Sequence, residues 1–159
     1  MSDRNHMPHV PRAQQYSVPH EIVCTYCGKT QSGDVSEVRC VHCAGPLSVD
    51  VKVRRGRPEW SGCVVATLPG LWKFQALRPF SGEVKRVTLG EGQTPIVKLQ
   101  NWGSIVGVPN TFAKLEYVSP TGSFKDRGCS VLVTRLQEMG VRCVVEDSSG
   151  NAGASMGAY

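Results

Sequence analysis

Four cysteines form two pairs whose spacing suits a metal ion. Two residues separate Cys24 from Cys27, two separate Cys40 from Cys43, and twelve residues lie between the pairs. Such pairs form tight turns whose four thiolates close a tetrahedron around Zn²⁺, and a site filled by four protein ligands is structural rather than catalytic. The spacing therefore predicts a structural zinc ion, which supplies folding free energy to a segment too small to make its own core.

Glycines accompany both cysteine pairs. Gly28 follows the first pair directly, and Gly45 follows the second pair after one residue. Glycine allows the backbone to turn so that its N–H groups point at sulfur. His42 lies inside the second pair and is interpreted as a bystander, because four thiolates already fill the site.

A lysine stands where a turn gives way to a predicted helix. The turn covers residues 119–122, Ser123 is a good N-cap, and Asp126 is placed for a capping box around Lys125. The helix dipole and partial burial beside Phe124 would lower the pKa of this lysine and make its amine a better nucleophile toward an aldehyde. Most lysines at helix starts are solvated and inert, so this motif alone leaves both interpretations open.

The helix that starts here is predicted to have one apolar face and to end at Gly140, a natural C-terminal stop. The residues at helical spacing on that face are Cys129, Leu132, Leu136 and Met139. The run 141–145 that follows is apolar and β-branched, which predicts a buried strand containing Cys143 as a small apolar residue.

A second polar motif follows that predicted strand. Ser148, Ser149 and Asn151 lie in a loop that leads into a new helix at Ala152. Ligands of open α/β sheets bind at such positions, and the unpaired N–H groups of a helix start suit a carboxylate or a phosphate. Taken alone, the motif favours an ordinary capping loop.

The order of elements predicts an α/β fold. Residues 96–99 and 111–117 are predicted strands, and the helix, strand and helix described above follow them. This order is typical of a parallel α/β sheet, which needs both of its faces covered. The chain of 159 residues has only begun its last helix at Tyr159, so we expect it to be a piece of a longer enzyme.

The chain divides into four predicted regions. Residues 1–20 read as a disordered tail, 21–50 as a zinc-ribbon-like module, 51–88 as a basic linker with an aromatic packing arm, and 89–159 as the start of the α/β domain. The net charge of +5 suits a small anion or nucleic acid but by itself indicates only a soluble surface. No apolar run is long enough to span a membrane and no secretory signal is recognisable, so we expect a cytoplasmic protein without a membrane partner.

Three motifs in order resemble one enzyme family. They are LGEGQTP at 89–95, SPTGSFKDRG at 119–128 and EDSSGNAGAS at 146–155, and together they are similar to the fold-type II enzymes that use pyridoxal 5'-phosphate (PLP). Within that family the threonine synthases match best, because they share an arm similar to GLWKF at 70–74 and some of them carry an N-terminal cysteine module.

The resemblance implies roles for five residues. Lys125 would form the Schiff base with PLP and move protons on the substrate carbons, with Phe124 beside it in the cofactor site. Asn151 would bond the ring oxygen of the cofactor, while Ser148, Ser149 and nearby N–H groups, with Asn151, would hold the substrate carboxylate. PLP would act as electron sink for a carbon–oxygen lyase that converts O-phosphohomoserine and water into threonine and phosphate.

Two departures from the family pattern affect this interpretation. Cys129 stands where the attachment motif usually has an aliphatic or small residue. The phosphate-binding loop and the partner of the pyridine nitrogen lie beyond Tyr159 in the family, so the chain alone is expected to turn over little or nothing. Dimers are common in this fold, so a homodimer is implied for the complete enzyme.

Three alternatives stay open at the level of sequence. Cysteate synthases and amino-acid dehydratases carry the same motifs. A nucleic-acid-binding zinc ribbon would use the cysteine module with the basic residues that follow it, which are Lys52, Arg54, Arg55 and Arg57. A third alternative is a PLP-fold protein without catalytic activity, against which the intact Lys125 and Asn151 argue. We expect a small amino-acid substrate and no nucleic-acid partner.

Overall fold

The computed structural model describes residues 20–32, 37–51, 63–78, 80 and 85–159. The predicted tail up to residue 19 and the basic linker with Lys52, Arg54, Arg55 and Arg57 lie outside the described residues. Among the helices of the described part, none has the length and apolar character that a membrane crossing requires.

The cysteine region forms a three-stranded antiparallel sheet. Its strands are β1 (His20–Cys24), β2 (Thr30–Gln31) and β3 (Leu47–Val51), and β1 lies in the centre of the order β2–β1–β3. The sheet extends the predicted module by one residue at each end, because His20 pairs with Val51 across β1 and β3. His20 was expected in the tail and is instead a strand residue.

The aromatic arm forms a 3₁₀-helical segment, Gly70–Leu77, with a kink at Phe74. Trp72 is fully buried and packs on Phe80, with their ring centroids 5.6 Å apart. Leu68 and Val131 pack against this pair. Since large aromatic side chains contribute strongly to the free energy of folding when buried, the arm supplies the apolar core around which the later elements assemble.

The arm and the loop at 89–95 approach backbone to backbone. The N–H of Leu71 donates to the carbonyl oxygen of Glu91 at 2.8 Å. Gly70 and Gly92 both have positive φ angles, of 52° and 100°. A Cβ atom at either position would collide with the backbone opposite it, so the close contact requires glycine on both sides.

A small hairpin follows the loop. Strand β4 (Ile96–Lys98) and strand β5 (Phe112–Lys114) pair antiparallel, with helix α1 (Gln100–Ile105) between them. Both strands lie within the predicted segments. The second strand is shorter than predicted because Glu116–Val118 turns into a short 3₁₀-helix.

Two further helices follow, α2 (Lys125–Glu138) and α3 (Asn151–Ala158). Helix α2 ends as predicted, since Gly140 adopts a positive φ of 73° just after it. The expected apolar face is only partly correct: Leu132 is 45% exposed. The buried positions of α2 are instead short and mostly polar, namely Asp126, Cys129, Ser130 and Thr134. They face other elements through hydrogen bonds, which an apolar periodicity does not detect.

The predicted buried strand at 141–145 is wrong. These residues form no strand, Val145 is 95% exposed, and Cys143 is exposed as well. A strand satisfies its N–H and C=O groups through a neighbouring strand, and no strand of the described part pairs with this segment. Both described sheets are antiparallel, so the parallel sheet is not formed by the described residues.

Candidate functional site

Lys125 is the first residue of α2 and its amine is free. Its Nζ lies 4.7 Å from the centroid of the Phe124 ring and has no hydrogen-bond or ion-pair partner among the described residues. The expected burial of the lysine beside Phe124 is wrong, because both side chains are exposed. A primary amine that is accessible and unpaired can react with an electrophile brought to it.

Asp126, the next residue, is fully buried. Its carboxylate accepts a hydrogen bond from the Thr121 N–H at 2.8 Å, a short one from the Thr121 hydroxyl, and one from the Ser155 hydroxyl at 2.7 Å. Burial alone would raise the pKa of Asp126, but these bonds outweigh it and hold the pKa below its usual value. Asp126 therefore joins the turn before Lys125 to helix α3, and the capping box predicted for it is wrong.

Arg127 connects the same turn of α2 to two other segments. Its guanidinium donates to both carboxylate oxygens of Glu116, at 2.7 and 2.8 Å, and to the Thr94 hydroxyl at 3.0 Å. Such paired contacts between a guanidinium and a carboxylate are geometrically specific. The hydrogen bonds from Arg127 lower the pKa of Glu116 to about 2, and Glu116 in turn raises the pKa of Arg127.

Glu91 is the centre of a second buried polar network. The Trp72 indole N–H, the Leu89 N–H and the Tyr159 hydroxyl each donate to its carboxylate, at 3.1, 3.0 and 2.9 Å. Trp72 also donates to the Ser130 hydroxyl, so the network includes α2. Burial would raise the pKa of Glu91, but the hydrogen bonds donated to it keep the pKa below its usual value. The arm, the 89–95 loop and the end of the chain are thereby held against α2.

The loop before α3 is shaped by one serine and leaves two polar side chains free. The Ser148 hydroxyl oxygen accepts from the N–H of Gly153 at 2.9 Å and from that of Gly150 at 3.3 Å. The side chains of Ser149 and Asn151 are exposed and form no hydrogen bond within the described chain. The first N–H groups of a helix also lack intrahelical acceptors, so this loop presents several donors to an anion.

Helix α3 lies against the first turns of α2. Ser155 bonds Asp126, and the Cys129 sulfur lies 4.0 Å from the Ala152 carbonyl oxygen. The structure therefore places the helix that starts at Lys125 beside the helix that starts at Asn151. A free amine at the start of one helix and free donors at the start of its neighbour are therefore both held by buried supports.

Sequence reasoning missed most of the residues that support this site. Glu91, Glu116 and Ser155 carry no pattern that distinguishes them from solvated residues. One signal was available for Glu91, since a carboxylate between Gly90 and Gly92 lies where the backbone can pack closely. The partners of the three residues are distant in sequence, so only the folded chain reveals them.

The four predicted metal ligands lie together. The Sγ atoms of Cys24, Cys27, Cys40 and Cys43 are all within 4.8 Å of one another, which is a geometry that could hold a metal ion. The Cys24–Cys43 and Cys27–Cys40 sulfur distances are 3.5 and 3.7 Å. The Cys27 N–H lowers the pKa of Cys24 to about 6, whereas the pKa of Cys43 is raised to about 12 because neighbouring sulfurs outweigh the Gly45 N–H. Four thiolates this close need a cation to coexist.

The two cysteine turns share one backbone geometry but not one residue type. Gly28 follows the first pair with a φ of 70°, and Ala44 follows the second pair with a φ of 57°. The residue with positive φ in the second turn is therefore Ala44, while the N–H of Gly45 points at the Cys43 sulfur as expected. Gly45 also serves packing, because a Cβ there would lie 3.0 Å from Tyr26 and 3.1 Å from the Cys24 sulfur. His42 contributes its backbone N–H to the Cys40 sulfur at 3.4 Å.

Comparison with known proteins connects this geometry to an enzyme family. Residues 87–159 match the family model described as pyridoxal-phosphate dependent enzyme. The threonine synthase of Methanocaldococcus jannaschii is 36% identical over 137 residues, which are 86% of this chain and 34% of that protein. The threonine synthase of Methanosarcina acetivorans is 32% identical over 147 residues, 88% of this chain and 34% of that protein.

A third threonine synthase, from Halalkalibacterium halodurans, is 39% identical over 89 residues, 56% of this chain and 25% of that protein. The chain thus spans about a third of the length of the first two relatives. No solved structure matches the chain. These matches confirm that the chain resembles the pyridoxal-phosphate-dependent enzymes, and the threonine synthases among them, over the part of their length that it spans.

Proposed function

We propose that this chain forms the N-terminal part of a PLP-dependent carbon–oxygen lyase that converts O-phosphohomoserine and water into threonine and phosphate. The observation that carries the proposal is a contrast in hydrogen bonding around Lys125. Asp126 and Arg127 are tied to other elements, whereas Lys125 and Asn151 are exposed and unpartnered in the described chain. Rigid supports around free functional groups are the arrangement that a cofactor site needs.

The residues present fit a cofactor with an aldehyde and an anionic group. Lys125 offers the amine that would hold the aldehyde, the exposed ring of Phe124 lies beside that amine, and Asn151 offers an amide for the ring oxygen. When bound, PLP supplies an electron sink for negative charge on the substrate carbons. The proposed fold around it is the fold-type II parallel α/β sheet, which the described residues would begin.

The chain's own residues would perform three tasks. Lys125 Nζ would take a proton from one substrate carbon and return it to another, since an unpaired amine can act as both base and acid. Ser149 and the N–H groups at the start of α3 would bind the substrate carboxylate, with Ser148 donating its hydroxyl hydrogen while its oxygen shapes the loop. Asp126 would keep the two helix starts together.

The cysteine module would bind zinc for structural reasons. Four thiolates and no open ligand position suit a closed Zn²⁺ site, and the antiparallel sheet around them fits a zinc-ribbon-like module. The nucleic-acid hypothesis depends on a basic linker outside the described residues, and no observation favours it over the enzyme. A cytoplasmic location and a homodimer stay predictions.

The activity is tested with the intact protein, meaning the complete enzyme of which we propose this chain is a part, supplied with PLP and O-phosphohomoserine. We expect release of phosphate together with formation of threonine, and we expect Lys125→Ala to lose both. The matched control is Lys98→Ala, since Lys98 is an exposed lysine on β4 away from the proposed site. Formation of a 2-oxoacid or of cysteate from the corresponding substrates, without threonine, would instead assign the chain to the dehydratases or cysteate synthases.

A further inference from the structure

A cavity of about 470 Å³ separates the cysteine module from helix α2. This volume is typical of sites for small molecules, which often lie between packed units and have mainly apolar walls. The sheet contributes one wall and α2 the other. The side chains that form these two walls are His20, Ile22 and Val49 from the sheet, and Val131, Leu132 and Met139 from α2.

Three arginines line the same cavity, and no Asp or Glu does so among the described residues. Arg127 is paired with Glu116, and Arg135 donates to Glu138 at 3.1 Å. Arg78 is different, because its guanidinium forms no hydrogen bond or ion pair with any described residue. Its Nε is buried without a partner. An unsatisfied buried donor of a charged group is costly.

The charge of Arg78 is also poorly compensated. Burial lowers the pKa of Arg78 and the nearby positive charge of Arg127 lowers it further, while the negative charge of Glu91 offsets these effects only in part. An anion bound in the cavity beside the guanidinium would add an opposite charge and would accept hydrogen bonds from the guanidinium nitrogens other than the buried Nε. The apolar side chains around the arginine would at the same time cover a non-polar body.

The cavity is separate from the proposed catalytic site. Lys125, Ser149 and Asn151 do not line it. Arg127 and Gly128 do line it, and they belong to the first turn of α2 directly after Lys125 and Asp126. A ligand in the cavity would therefore contact the back of the turn that presents Lys125.

We propose that this cavity is a second ligand site, which binds a small organic molecule carrying one anionic group on an apolar body. The anionic group is a carboxylate or a phosphate and pairs with Arg78. The apolar body packs on Phe80, Leu132 and Met139. The site joins the cysteine module to the catalytic region without taking part in the reaction proposed for Lys125.

Calorimetric titration of the intact protein tests this site with defined probes. Phenyl phosphate and phenylacetate represent the two anionic groups, while inorganic phosphate and benzyl alcohol each lack one half of the proposed ligand. We expect at least one of the two complete probes to bind about tenfold or more tightly than either half. Equal binding of benzyl alcohol, or no binding of either complete probe, would overturn the proposal.

Two variants and one control locate the binding. Arg78→Gln is expected to weaken the preferred probe about tenfold or more, because a charged hydrogen-bond partner is lost. Leu132→Trp is expected to do the same by filling the cavity, and Leu132 is exposed enough to accept the larger side chain. The control Arg142→Gln removes an exposed arginine that does not line the cavity. An unchanged affinity in both test variants would contradict the assignment.

Discussion

The cysteine module and the Lys125 region bring chemical groups together in opposite ways. In the module, four sulfurs from a 20-residue stretch of sequence, Cys24 to Cys43, face one another, and the site needs only an ion to be complete. In the Lys125 region, the reactive groups face outward without partners, while Asp126, Arg127 and Glu91 form the internal contacts. A bound ion would let the first site stabilise its own segment, whereas the second is held in place by residues for which no reactive role is proposed.

The two regions should therefore respond differently to the loss of a functional side chain. Loss of a proposed ligand in the module would remove the interaction with zinc that we propose holds the module together. Loss of the Lys125 side chain removes a free amine and should leave the fold intact, since no described residue forms a hydrogen bond with that amine. In the module the same cysteines would provide both metal binding and stability. In the Lys125 region the residues that provide stability differ from the residue that is proposed to react.

The largest expected effect is metal removal. Structural zinc contributes on the order of 10 kcal/mol of folding free energy in small cysteine modules. We expect chelation, or Cys24→Ser, to abolish zinc binding and to expose the amides of residues 20–51 to hydrogen exchange, while residues 85–159 keep their protection. Cys143→Ser is the control, because Cys143 is exposed and isolated. Unchanged hydrogen-exchange protection of the module amides without metal would contradict the proposal that an ion stabilises the module.

The second prediction concerns Glu91, which is buried in the part of the chain outside the cysteine module. Glu91→Ala leaves the donors of Leu89 and Tyr159 without acceptors, and each such donor costs about 1–3 kcal/mol. We expect a loss of about 3 kcal/mol or more in the free energy of unfolding, measured by denaturant titration. Glu138→Ala removes only a surface ion pair with Arg135 and should cost less than about 1 kcal/mol. Equal losses in the two variants would show that the hydrogen bonds of Glu91 contribute no more to the free energy of unfolding than a surface ion pair does.

The third prediction is a pH dependence of stability in the Lys125 region. The pKa of Glu116 is lowered from 4.5 to about 2 in the folded chain by its bonds from Arg127. The stability this provides is present above pH 4.5 and is lost as the pH falls from 4.5 towards 2. Glu116→Gln should flatten this part of the stability profile and cost about 1 kcal/mol at neutral pH, because the pair is partly exposed. An unchanged profile in the variant would assign the dependence to other carboxylates.

The smallest expected effect concerns the backbone conformation of Ala44 in the cysteine module. Ala44 holds a left-handed conformation that favours glycine by about 1 kcal/mol. Ala44→Gly should therefore bind zinc about two- to fivefold more tightly, and Ala44→Val should bind it more weakly. Competition with a chromophoric chelator measures both affinities. Weaker binding by the glycine variant would show that the turn geometry is not limiting.

Some of this architecture is readable in the sequence because it is local. Each cysteine pair, the turn before Lys125 and the stop at Gly140 depend on residues only a few positions apart. In the structure the four sulfurs lie together, residues 119–122 form a turn, and α2 ends just before Gly140. The run 141–145 misled because a β-branched sequence specifies a strand only where a partner strand exists. The positive φ of Ala44 was not predicted, because left-handed backbone is expected at glycine rather than at alanine.

The supports of the site were not readable for a different reason. Glu91 and Tyr159 are 68 residues apart, and Asp126 and Ser155 are 29 apart. Buried polar pairs at such separations have no periodic signal, and a short polar side chain on a helix reads as solvent-facing. The contacts that position Lys125 therefore became visible only in the folded chain.

The most direct test of the central claim is a borohydride trapping experiment on the intact protein incubated with PLP. Reduction fixes any covalent link between the cofactor and an amine, and peptide mass spectrometry locates it. We expect the adduct on Lys125, no adduct in Lys125→Ala, and an unchanged yield of adduct in Lys98→Ala. An adduct on another lysine, or none at all in the intact protein, would contradict the assignment of Lys125 as the residue that holds PLP.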